Sequence, residues 1–184
     1  MKIKAVLQSF DVPNRNKRFY PLNVMKEAIE RFLEMVKNQE AFGELGHPKD
    51  FDTYRSMTIH PQYVSHIIKE AWLEENVLKG IVEPVGPYGK SLEELVEKGR
   101  IGFSARIYAS QWIKNKDGYE EPRGNIHIIC YDAVILPSHK EAYVESVTYE
   151  STNIIDSNNN IIPYNYDCKV CNLYNIPNKR LLKL

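Results

Sequence analysis

The chain has 184 residues with 24 Lys or Arg against 24 Asp or Glu, so its formal charge is zero and no whole-chain field favours nucleic acid or an anionic membrane. That length suits one domain with a buried core, any surplus forming a tail. The opening Met1–Leu7 gives way to polar Gln8 and Ser9 without an apolar run fit for a signal peptide or a membrane span, and three cysteines do not describe a disulfide framework; a protein of the reducing cytoplasm is expected.

Residues 2–12 read as a strand, and Asn14-Arg15-Asn16-Lys17-Arg18 is too polar and turn-prone to continue it. From Pro21, apolar Val24, Ala28, Ile29, Phe32, Met35 and Val36 recur at three- and four-residue steps, which predicts a helix with Pro21 in its first turn. Beyond the Gly/Pro-punctuated segment 43–61, residues 63–73 and 76–83 form a predicted hairpin turning at Glu74-Glu75-Asn76. Gly86-Pro87-Tyr88-Gly89 breaks the pattern, Ser91 is the expected cap of a helix through about Lys98, and Gly99 closes it. Residues 101–114 and 124–136 are predicted strands flanking Asn115-Lys116-Asp117-Gly118, whose Asp-Gly pair suits a tight turn. This places Ser104 and Asp132 on neighbouring strands. Residues 139–146 allow a short helix, and the segment from about 150 lacks periodicity, so residues 1–150 are read as the domain and 151–184 as a polar tail, open to processing.

Three segments bear chemistry: Gly43-Glu44-Leu45-Gly46-His47-Pro48, Gly102-Phe103-Ser104-Ala105-Arg106 and Cys130-Tyr131-Asp132-Ala133-Val134. Together they supply a base, a nucleophile and an orienting carboxylate, the set that serine hydrolysis needs. Their order, His then Ser then Asp, differs from the trypsin-like, subtilisin and hydrolase-elbow orders, and Ala105-Arg106 does not complete a GxSxG elbow. Arg106, two residues past Ser104, falls on the same sheet face and is a candidate for oxyanion stabilisation or substrate positioning, against the bland reading of a solvated arginine. His66 reads as a hydrogen-bonded structural residue, His60 as a loop residue, and His127 alternates with Ile126 and Ile128; His139 is held in reserve as a third member in place of Asp132. A zinc site from His47 and His66 with Glu44 or Asp50 lacks the usual ligand spacing, and Cys168 with Cys171 makes at most half of one, so no metal is expected.

The segments Asn14-Arg15-Asn16-Lys17-Arg18-Phe19-Tyr20-Pro21, Gly43 to Pro48, Val64-Ser65-His66-Ile67-Ile68, Gly102 to Arg106, and Tyr131-Asp132-Ala133-Val134 with Pro137-Ser138 resemble the ordered motifs of the tailed-phage prohead maturation proteases, relatives of the herpesvirus assemblins. The resemblance spans roughly residues 3–145. It implies an α+β, mainly β fold: an antiparallel β-barrel surrounded by a few helices, herpesvirus-protease-like. It implies His47 as the base and Ser104 as the nucleophile, with Asp132 chosen as the third member. The chain departs from the usual G-x-S-S-R-G pattern at Ala105 and Ile107.

The expected function is therefore a serine endopeptidase without a cofactor, acting in the host cytoplasm inside the assembling procapsid. The resemblance implies scaffold or core proteins and the major capsid protein as substrates, together with the protease itself. No nucleic-acid or membrane partner is expected, and homo-oligomerisation stays open. Two readings compete with it: a non-catalytic capsid-assembly or scaffold module of the same fold, and, ranked last, an esterase of broad specificity.

Overall fold

Ile3, Ala5 and Leu7, spaced by two, are buried along β1 (Lys2–Ser9), which starts the framework of the fold. A computed structural model describes residues 1–49, 53–149, 152–155 and 161–164. The chain divides into two compact units, Met1–Val147 and Thr148–Leu184. In the first, α1 (Leu22–Lys37) buries Met25, Ala28, Ile29, Phe32 and Val36, the stripe its periodicity predicts. Pro21 is extended and precedes the helix, and Asp11 Oδ1 accepts the Leu22 N–H at 2.9 Å, so a side chain eleven residues upstream does the work of a local cap.

The strands β2 (Phe42–Glu44), β3 (Val64–Glu74), β4 (Val77–Pro84), β1 and β7 (Val144–Thr148) form one sheet in the order β2-β3-β4-β1-β7. The predicted hairpin is present as β3 and β4, turning through Glu75 at positive φ. Two short helices lie between the strands: α2 (Thr53–Met57) precedes a single 3₁₀ turn at Pro61–Tyr63, and α3 (Gly89–Lys98) follows β4 and packs on β3 and β4. Separately, β5 (Gly102–Lys114) and β6 (Glu120–Val134) pair as a long antiparallel ribbon against which α1 also packs, with Phe32 edge-on to Tyr131 at 5.1 Å.

The fold is thus mainly β with a few helices. Its two ladders do not close into a barrel: β2 is only three residues long, and single bridges, Leu45↔Ala133 and Gly102↔Tyr143, tie the ribbon to either edge of the sheet.

Three local expectations are corrected. α3 begins at Gly89, so Ser91 lies inside its first turn instead of capping it. Residues 139–146 do not form a helix, because the chain there is pulled into sheet contacts: Ala142 O accepts the Phe103 N–H at 2.9 Å, Tyr143 O accepts the Val6 N–H at 3.1 Å, and Val144 enters β7. β6 begins at Glu120, four residues earlier than predicted. In the second unit, β8 (Thr152–Ile155) pairs antiparallel with β9 (Ile161–Tyr164) within the segment read as a tail. Cys168 and Cys171 lie outside the described residues.

Candidate active site

Antiparallel pairing puts Ser104 of β5 directly opposite Asp132 of β6, and Arg106 opposite Cys130. Opposed residues and those two apart share a sheet face, so all four side chains lie on one side of the ribbon. That face is closed to solvent: Asp132 is fully buried, and Ser104, Arg106 and Cys130 are nearly so.

His47 reaches the same place from the other sheet. Gly46 takes φ +84°, a left-handed turn natural to glycine, and its N–H donates to Ala133 O at 2.8 Å beside Asp132. Pro48 restricts His47 to extended backbone. The His47 Nδ1–H then donates to Asp132 Oδ2 at 2.7 Å, with the carboxylate fully buried and the histidine side chain 40% exposed. An ionised carboxylate only accepts, so Nδ1 carries the proton and Nε2 is left as the basic nitrogen.

A buried carboxylate alone would resist ionisation, and the groups around Asp132 answer that. Its Oδ1 accepts the Glu44 backbone N–H at 3.0 Å. Arg106 approaches as a fork, Nε to Oδ2 at 2.7 Å and Nη2 to Oδ1 at 3.1 Å. Burial pushes the Asp132 pKa up, but the hydrogen bond from His47 and the Arg106 charge outweigh it, and the carboxyl is held below its ordinary value. The Cys130 thiol, 3.3 Å from Oδ1, is pushed well above its ordinary range, chiefly by burial, and remains a protonated donor.

Arg106 is itself held. Its Nη1 donates to the carbonyls of Thr58 at 2.8 Å, Ser56 at 3.4 Å and Arg55 at 3.5 Å, and Nη2 lies 3.7 Å from Glu44 Oε2. Glu44 also takes a two-pronged bond from Arg55, at 3.1 and 2.6 Å, and the His60 backbone N–H at 2.6 Å. Two carboxylates and two guanidiniums thus form a charge-balanced, mostly buried cluster that fastens α2 to the ribbon. Arg106 proves to be a core residue facing Asp132 instead of a solvated one. Of this cluster, sequence reading had singled out Glu44 only as a motif member and weak metal candidate, and had missed Arg55, which no local pattern marks.

Ser104 Oγ lies 3.2 Å from Ser138 Oγ, and among the described residues no hydrogen bond joins it to His47. His66 is fully buried and structural: its Nε2–H donates to Tyr131 O at 2.9 Å, its Nδ1 accepts from Ser65 Oγ at 2.8 Å, and burial lowers its pKa to about 4. His139, the reserve candidate, is buried beside Tyr20 with neither ring nitrogen hydrogen-bonded among the described residues, and burial lowers its pKa to about 4 as well. Among the described residues no hydrogen bond joins it to the His47–Asp132 pair. Among the described residues no cluster of three or more His, Cys, Asp or Glu is arranged to hold a metal ion.

Residues 2–163 match the family described as Peptidase S80. The chain belongs to the Peptidase S80 family. The likeness to phage prohead proteases read from the motifs is borne out by this match and by a relative, the prohead core protein protease of Enterobacteria phage T4, 29% identical over 166 residues, which cover 84% of this chain and 75% of the relative. The solved capsid assembly protease of bacteriophage T4 shares the fold with a TM-score of 0.58 and 22% identity, over 72% of this chain and 80% of that one. This S80 member is therefore a peptidase by family, with His47, Ser104 and Asp132 all inside the matched span. No helix among its described residues is long and apolar enough to cross a membrane.

Proposed function

We propose that the chain is a serine endopeptidase in which His47 is the base, Ser104 the nucleophile and Asp132 the orienting carboxylate. The observation that carries this reading is the 2.7 Å His47–Asp132 hydrogen bond, made by the residue directly across the ribbon from Ser104. Ser104 Oγ attacks the scissile carbonyl carbon while its proton passes to His47 Nε2. The C–N bond then breaks as Nε2 returns the proton to the leaving amine. Water attacks the resulting acyl-enzyme, giving its proton to Nε2, and the ester C–O bond breaks to release the acid and restore Ser104. Asp132 keeps the imidazole in the productive tautomer throughout and faces the imidazolium with negative charge. Arg106 is assigned to Asp132 as a positioning residue, keeping a buried carboxyl ionised, in place of the oxyanion role its spacing suggests. No cofactor enters the scheme.

By likeness to the T4 prohead core protein protease, the proposed substrates are core or scaffold proteins and capsid pro-segments of an assembling phage head, with self-trimming that includes residues beyond about 150. The proposed place of action is the procapsid, where confinement raises the effective concentration of enzyme and substrate. The two edge bridges support a finer view of the fold as a barrel opened at its seams, akin to the herpesvirus assemblins.

One observation favours the competing, non-catalytic reading: the Ser104 hydroxyl bonds to Ser138 and not to His47. Catalytic contacts commonly tighten only with substrate bound, so this does not outweigh the geometry around Asp132. The two readings separate on covalent labelling by a fluorophosphonate. A serine protease is expected to carry the adduct on Ser104, with labelling abolished in Ser104→Ala and His47→Ala; a folded wild-type protein that is never labelled there refutes the catalytic reading.

A further inference from the structure

Residues 137–143 press against the start of the nucleophile strand. A Cβ built on Gly102 would fall 2.3 Å from Ala142 O and 2.7 Å from Pro137 Cγ, so only glycine lets the two segments approach, two residues before Ser104. Phe103 N–H donates to Ala142 O, fastening the same contact. From the other side Arg15 grips the segment twice, its backbone N–H donating to Ser138 O at 2.9 Å and its Nη1 to Pro137 O.

The loop that presents Arg15 is preorganised. Asn14 Oδ1 accepts the backbone N–H groups of Asn16 at 2.9 Å and Arg18 at 3.0 Å, Lys17 sits at φ +56°, and Arg18 lies over the Trp112 ring at 4.5 Å. The most polar stretch of the N-terminal region is thus built to hold Pro137 and Ser138, and Ser138 Oγ is the hydrogen-bond partner of Ser104.

We propose that Ser138 is a positioning residue for the nucleophile, with Arg15 acting through it. This rests on the reading of Ser104 as nucleophile. A hydroxyl has one proton to give. If Ser104 spent it on Ser138, none would be available to His47. The productive arrangement has Ser138 donating to Ser104 Oγ, which turns the Ser104 proton toward the imidazole and supports the negative charge that builds on Oγ as that proton leaves. Arg15 fixes the backbone on which Ser138 sits.

The test is the second-order rate of fluorophosphonate labelling of the full chain, with the adduct mapped by peptide mass spectrometry and thermal unfolding followed alongside. Ser138→Ala is expected to slow labelling by about tenfold, the equivalent of one hydrogen bond, and Ser138→Thr, which keeps the hydroxyl, to restore most of the rate. Arg15→Ala is expected to slow labelling about three- to tenfold in the wild-type background and to add nothing in the Ser138→Ala background, since a residue acting only through Ser138 has nothing left to act on. Labelling of Ser104 at the wild-type rate in Ser138→Ala overturns the inference. So does an Arg15→Ala effect of equal size in both backgrounds, or a rate loss that follows lost folded protein in Ser138→Ala and Ser138→Thr alike. Failure of wild type to label at Ser104 refutes the nucleophile assignment itself, and this inference with it.

Discussion

Replacing Asp132 by Asn removes one charge and leaves the shape almost unchanged, yet two losses are expected. Every group facing the carboxylate is a donor: His47 Nδ1 and Arg106 Nε at Oδ2, and the Glu44 N–H, Arg106 Nη2 and Cys130 Sγ at Oδ1. An Asn amide must aim its NH₂ at one of these sets whichever way it is turned, and Arg106 is left in the core without its main counter-ion. Breaking a buried ion pair costs about 3–5 kcal/mol, and because Arg106 keeps three carbonyls and the nearby Glu44 the lower figure, about 3 kcal/mol, is the better estimate. For a chain of this size that is a fall of about 6–12 °C in melting temperature. The second loss is chemical: an NH₂ presented to Nδ1 drives the imidazole proton to Nε2, where the base must be bare. Labelling of Ser104 by a fluorophosphonate is expected to slow by about 10²–10⁴-fold, the range for removing the orienting partner of a general base. Both readouts come from one preparation, by labelling rate and by thermal or urea unfolding. An Asp132→Asn protein that melts with wild type and labels within threefold of its rate would show that Asp132 neither balances Arg106 nor orients His47.

Arg106→Gln, which keeps donors but removes the charge, is expected to raise the Asp132 pKa, followed as the Asp132 carboxyl signal in an NMR pH titration; an unmoved carboxyl titration with a lower labelling rate would speak for direct contact with substrate instead. His66 and His139 are held neutral, with values near 4 against an ordinary 6.5, so the unfolded chain binds more protons between those limits. Stability is expected to be complete above about pH 6.5 and to fall as pH drops toward 4, by up to about 3 kcal/mol for each buried histidine, measured as the urea midpoint against pH. His139→Leu should flatten part of that slope without losing a protein hydrogen bond, and an unchanged slope would contradict the assignment. Gly43→Ala would bring a Cβ to 2.3 Å from both His66 Nε2 and Tyr131 O, breaking the bond between them, and is expected to destabilise by about 3 kcal/mol in urea unfolding; a wild-type midpoint would count against the contact.

The candidates His47, Ser104 and Asp132 could be picked out because short motifs carry them, and the Asp-Gly turn marked β5 and β6 as a hairpin. The exact pairing was not. A regular ladder counted outward from Lys114↔Glu120 would set Ser104 opposite Cys130; two bulges, at Arg106/Ile107 and Ala109/Gln111, shift the register by one residue each and bring Asp132 into place. One bulge alone would have turned Asp132 to the other face. Gly124, at φ +74° against Ser110, marks one of them, a signal visible only in retrospect. The pairing of Glu44 and Arg55 with Arg106 was hidden for a different reason: Arg106 lies far along the chain from the other two, and neither charge nor spacing says that a guanidinium will be buried. The false helix over 139–146 reflects local propensity overruled by pairing with residues 101–103 and with β1.

The central claim is that Ser104 cuts peptide bonds in the proteins of an assembling phage head. The most direct measurement is intact-mass and gel analysis of wild type and Ser104→Ala, each co-expressed with the scaffold or core protein and the major capsid protein of the phage that encodes this chain. Fragments of those proteins, and a trimmed form of the protease, are expected with wild type only. Identical fragments with Ser104→Ala, or uncut head proteins that assemble normally around a folded wild-type chain, would contradict it.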